Sequence, residues 1–147
     1  MDTEHIVKSY DEDLRRLENM IAEMGGMAEV QLADAVEALV RFDTDAAAEI
    51  VKRDKRIDAL EMEIDDFIIK LMALRQPLAE DLRNVITGLK ISSNLERIGD
   101  YSKNIAKRTS TLSQSSMTPV LVKGPIGTIS RMARIVQEMI KNVLDAY

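Results

Sequence analysis

The residues best suited to chemistry in this chain are carboxylates. Asp54, Asp58, Glu61 and Asp65 are spaced four, three and four apart, so on a helix their side chains fall along one stripe. Further on, a stripe of Leu82, Ile86, Leu89 and Ser93 runs on into Glu96, Asp100 and Asn104. Two acids thus occupy positions where core-facing or core-edge residues are expected, and carboxylates are rarely buried without a compensating cation. Two antiparallel helices, each presenting acids four apart, would pool four or more oxygens. Hard cations such as Mg²⁺, Ca²⁺ or Mn²⁺ favour that ligand set, and iron or zinc also accept it. Spacing alone equally describes an ordinary charged face, solvated or neutralised by Lys52, Lys55, Arg56, Arg97 and Lys103.

Other chemistries find little support. His5 is the only histidine, so the paired Glu-x-x-His of ferritin-like di-iron sites cannot be written. No nucleophile–base pair, phosphate-cradling glycine loop or metalloprotease motif is present. Cysteine is absent, which removes disulfides and thiolate metal sites. The net charge of −5 comes with no basic tract above background, so no nucleic-acid partner is expected. Met1-Asp2-Thr3-Glu4-His5 is acidic and not followed by a secretory apolar stretch, and no run of about 18 apolar residues occurs. A cytoplasmic location is expected, with membrane attachment only through a protein partner.

The elements that would carry the acids are helices. Apolar residues make up 46 % of 147 residues, but aromatics only 3 %, so the core must be aliphatic, with nine Met as filler. Tyr10, Leu14, Leu17, Ile21, Met24, Ala28, Leu32, Ala35, Leu39 and Phe42 recur in steps of three or four, the pattern of one long helix with a buried seam. Gly25-Gly26 inside it costs about 1 kcal/mol per residue relative to alanine, so a kink or a close helix contact is expected there. Asp43-Thr44-Asp45 supplies a break and an N-cap. Ile50, Ile57, Leu60, Ile64, Phe67, Ile68 and Leu71 mark a second helix, ending near Pro77, which can open the third. The third carries Leu82, Val85, Ile86, Leu89, Leu95, Ile98, Ile105 and Ala106. Short connections make the three helices an antiparallel bundle.

Residues 111–125 read as a linker, with Gly124-Pro125-Ile126-Gly127 as a turn before a last amphipathic helix. Its stripe of Ile129, Met132, Val136, Met139, Ile140, Val143, Leu144 and Tyr147 overlays that of the first helix, Leu32 on Val136 and Leu39 on Val143. A lone helix so apolar is expected to dock on the bundle or on another chain.

Met24-Gly25-Gly26-Met27, then Arg75-Gln76-Pro77-Leu78-Ala79-Glu80-Asp81-Leu82-Arg83, then Leu95-Glu96-Arg97-Ile98-Gly99-Asp100 with Asn104-Ile105-Ala106 after it, resemble the PhoU family in content and order. The resemblance covers about residues 3–110. It implies an all-α, PhoU-like three-helix bundle over 3–110, a linker over 111–125, and over 126–147 the first helix of an incomplete second bundle. It also implies that Glu96 and Asp100 match the family's Glu/Asp-x-x-x-Asp motif on the third helix. Glu61 and Asp65 match it on the second, and Asp58, one turn earlier, is a further ligand. Some family members bind iron or zinc clusters there; magnesium and manganese suit the same oxygens. The role implied is regulatory rather than enzymatic. When phosphate is plentiful, such a protein restrains the phosphate ABC transporter, through its ATPase subunit, and the sensor histidine kinase. A homodimer is the expected assembly. The alternative is a metal-binding bundle with a structural or hydrolytic role.

Overall fold

The computed structural model describes residues 2–117 and 120–147. The side chain of His5 and the linker residues Thr118 and Pro119 lie outside the described residues. Four helices follow in order: α1 Asp2–Arg41, α2 Thr44–Arg75, α3 Ala79–Ser113 and α4 Lys123–Ala146. No strand occurs among the described residues, as the apolar periodicity requires. At about 1.5 Å per residue, α1 is about 60 Å long.

Local chemistry sets the breaks. Asp43 is the N-cap of α2, its side chain accepting from the amide of Ala46 at 2.9 Å. At the other end Gln76 is left-handed and its amide closes on the Met72 carbonyl at 3.1 Å, because Pro77 disfavours right-handed helix in the residue before it. The expectation that Pro77 opens α3 is corrected: Leu78 is the extended N-cap and Ala79 the first helical residue. Ala79, at positive φ like Gln76, completes the reversal together with Pro77 and Leu78. The chain is also tied across this end by Arg75, which bonds Asp13 at 2.9 Å and Ser9 at 2.5 Å on α1.

The first three helices pack pairwise, and α4 lies on α1. The core is aliphatic: Leu17, Ile21 and Met24 of α1 meet Ile57, Leu60 and Ile64 of α2 and Val85 and Leu95 of α3. The α3 seam differs from the expected stripe. Its buried residues are Val85, Gly88, Ser92, Leu95, Gly99, Ser102, Ala106 and Thr109, a strict alternation of three and four. Leu82, Ile86 and Leu89 are only half-buried, and Ser93 and Asn104 are exposed. Small residues take the closest approach because they let helix backbones draw together. Ser102 and Thr109 satisfy their hydroxyls on carbonyls one turn back, at 2.7 and 3.1 Å.

The last helix corrects a second expectation. It begins at Lys123, so Gly124-Pro125-Ile126-Gly127 forms its first turns rather than a preceding turn. Pro125 is tolerated there because the first amides of a helix have no intrahelical acceptor. α3 runs past residue 110, which leaves residues 114–122 between the two helices. α4 docks through Ile126, Ala133 and Ile140. The glycine pair explains part of the fit. A Cβ at Gly25 would collide with the Cδ1 of Leu144, whereas one at Gly26 would meet nothing. Among the described residues no helix is long and apolar enough to cross a membrane.

Candidate functional site

Asp54 is the acid that the fold treats most unusually. It occupies a seam position of α2, between Ile50 and Ile57, and is only 2 % exposed. An ionised carboxylate at that depth needs partners on both oxygens. Gln31, itself buried, reaches over from α1 and donates from Nε2 to Asp54 Oδ1 at 2.7 Å and to the Gly99 carbonyl at 3.1 Å. Lys103, two turns from Glu96 on α3, donates from Nζ to Asp54 Oδ2 at 2.6 Å and to Asp100 Oδ1 at 2.5 Å. Gly99 opens the space between them, since a Cβ there would stand 3.4 Å from Asp54 Oδ1 and 3.1 Å from Ile57 Cδ1. A polar layer therefore crosses all three helices of the bundle.

Around that layer the acids converge. Asp54, Asp58 and Asp100 each offer an oxygen within 4.8 Å of the others. Glu61 and Glu96 stand next to this trio and interact with it through charge. Burial first, then the charges of Asp100, Glu61 and Asp58, push the Glu96 carboxyl up to about 7. Burial and then Asp65, Asp58 and Asp100 raise Glu61, and burial and then Asp54 raise Asp58, with Lys103 opposing. Asp100 moves the other way, held below its usual value chiefly by the bond from Lys103. Asp65 reaches the group only as a neighbouring charge on Glu61.

The sequence-derived acids thus divide. Asp58 and Asp100 are drawn into one cluster, Glu61 and Glu96 flank it, and Asp65 stands at its outer edge. Asp54 was visible as a member of the stripe but not as the buried anchor; its place in the Ala47–Ile50–Asp54–Ile57 seam was the available signal. Gln31 carried none beyond sitting on the α1 seam between Ala28 and Ala35. Of the five cations that could neutralise the acids, Lys103 alone bonds the cluster among the described residues. Lys52 pairs with Glu49, and Arg56 with Glu23 and Glu63.

Three carboxylate oxygens spaced this way suit a divalent cation. Metal–oxygen bonds of about 2.0–2.6 Å place oxygens on one ion up to about 5 Å apart. The set lacks nitrogen and sulfur donors, as hard cations prefer.

Comparison with known proteins adds a separate finding. The family model described as the PhoU domain matches residues 21–109. The phosphate-specific transport system accessory protein PhoU homolog of Zymomonas mobilis is 47 % identical over 143 residues, covering 97 % of this chain and 58 % of that protein. That of Caulobacter vibrioides is 46 % identical over 145 residues, covering 99 % and 61 %. The phosphate-specific transport system accessory protein PhoU of Escherichia coli K12 is 33 % identical, covering 97 % and 57 %. Among solved structures, that of PhoU from Pseudomonas aeruginosa superposes with a TM-score of 0.82 at 32 % identity, covering 93 % of this chain and 64 % of that one. The chain spans about three-fifths of the length of the curated relatives it matches.

Proposed function

The chain belongs to the PhoU family, and on that premise we propose that it serves as an accessory regulator of a phosphate-specific transport system. The observation that carries this reading is identity of 46–47 % along nearly the whole chain to relatives bearing that name. On this reading it is not an enzyme but a cytoplasmic helical adaptor, working as a homodimer. It docks on the transporter's ATPase subunit and on the phosphate-sensing histidine kinase, and restrains both when phosphate is plentiful. The absence of a nucleophile–base pair in the sequence supports a role without turnover.

Within that role, the carboxylates hold a divalent cation. Asp54, Asp58 and Asp100 are its nearest ligands, with Glu61 and Glu96 beside them and Asp65 at the edge. Iron, zinc, magnesium and manganese are the candidate ions. The cation would tie α2 to α3 and cancel the excess of negative charge. The chain's own residues then do the positioning: Gln31 orients Asp54, and Gly99 keeps the two helices close enough for their acids to share one ligand.

The test is a pull-down of the full chain with the purified transporter ATPase and the kinase's cytoplasmic domain, together with phosphate uptake in cells lacking the native protein. Binding to at least one partner and restored restraint of uptake are expected. Failure of both defeats the adaptor reading.

A further inference from the structure

Lys103 stands where a metal ion would draw its ligands together. Its ammonium bonds Asp54 at 2.6 Å and Asp100 at 2.5 Å, two of the three acids whose oxygens converge. It acts on the third, Asp58, through its charge. The two partners differ in freedom. Asp54 is 2 % exposed and pinned by Gln31, while the Lys103 side chain is 22 % exposed. A lysine head on a flexible four-carbon stem can swing into water while its helix stays folded. Asp54 cannot follow it.

A second observation concerns Gln31, the residue that holds Asp54 from α1. Gln31 is 1 % exposed, and its Oε1, on the amide whose Nε2 binds Asp54, is buried without a hydrogen-bond partner among the described residues. A buried acceptor left unpaired is costly. A water carried in with a cation bound to Asp54 would supply the donor that this oxygen lacks.

We propose that Lys103 is a built-in competitor for the carboxylate site: a divalent cation enters among Asp54, Asp58 and Asp100 by displacing the lysine ammonium into solvent. This rests on the reading that these acids bind a cation. The lysine keeps the bundle intact when metal is scarce, because Asp54 is never left as an unpaired buried charge. It also weakens metal binding, because two charge-assisted hydrogen bonds must break first. The site therefore fills only above a threshold of free cation, and filling releases a positive charge at the surface between α2 and α3.

Two experiments on the full chain test this. Calorimetric titration with Mn²⁺ and, separately, Zn²⁺ compares the unaltered protein with Lys103→Met; removing the competing unit charge is expected to tighten binding by about tenfold or more. In the unaltered protein, acylation of Lys103 by an amine-reactive ester, followed by peptide mass spectrometry, is expected to speed up several-fold at saturating metal. This second measurement decides the matter should the variant fail to fold. Equal or weaker metal affinity in Lys103→Met, or unchanged Lys103 labelling at saturation, overturns the competitor role and leaves the cation site standing. No metal binding by either protein removes both.

Discussion

The ammonium of Lys103 on α3 lies 2.6 Å from the carboxylate of Asp54, a side chain sunk to 2 % exposure in the seam of α2. The dependence is one-sided: the buried acid needs the cation, whereas the lysine, 22 % exposed, still reaches water.

This pair gives the first prediction. In metal-free protein, Lys103→Met leaves Asp54 buried and unpaired, and is expected to lower the unfolding free energy by about 2–4 kcal/mol, somewhat less than for a fully buried pair. Adding Asp54→Asn to that variant is expected to recover part of the loss. Urea unfolding of the two single variants and the double checks it. Additive losses would show that the pair is not coupled.

The second concerns acidity. Glu96 is pushed up to about 7 in the folded chain from an ordinary 4.5. Between those values the folded chain keeps a proton that the unfolded chain has released, so stability falls as pH rises through that window. Asp58 and Glu61, also raised, act in the same direction. Asp100, lowered, acts only at more acidic pH, and Lys103, raised, only at alkaline pH. In EDTA the melting temperature is expected to be higher near pH 5.5 than near pH 7.5, and Glu96→Gln to add about 1 kcal/mol near pH 7.5. A melting temperature that climbs across this range would contradict the assignment.

Third, metal content should track the trio. Elemental analysis after dialysis is expected to show loss of bound divalent cation in Asp58→Asn combined with Asp100→Asn. Asp65→Asn, at the edge of the cluster, is expected to retain it. Equal retention by both variants would argue that binding lies elsewhere.

Fourth, one substitution should have opposite signs at two glycines. Gly26→Ala meets open space on a helix and is expected to stabilise by about 0.5–1 kcal/mol. Gly99→Ala presses against Ile57 and Asp54 and is expected to destabilise by about 1–2 kcal/mol, as overpacking does. Thermal unfolding distinguishes them; a stabilised Gly99→Ala would mean the polar layer has slack.

The helices, their order and the breaks at Asp43 and Pro77 were legible in the residues, whereas the bounds of the last connection were not. Burial recurs every 3.6 positions within a helix, so Leu17, Ile21, Met24 and Ala28 announce a seam without any knowledge of what they face. Asp43 and Pro77 punctuate by local stereochemistry. The clustering of acids on α2 and α3 was legible for the same reason, because spacing along a helix is set by its pitch. What the residues could not declare was which face of α3 turns inward. Leu82, Ile86 and Leu89 look like the seam by hydropathy, yet Gly88, Ser92, Gly99 and Ser102 hold it, because closest approach is decided by side-chain volume on both helices at once. The depth of Asp54, its contact with Gln31, and the choice of Lys103 over four other cations belong to tertiary structure alone. They depend on the register between helices, and that register is set by the packing of the whole bundle rather than by any single segment.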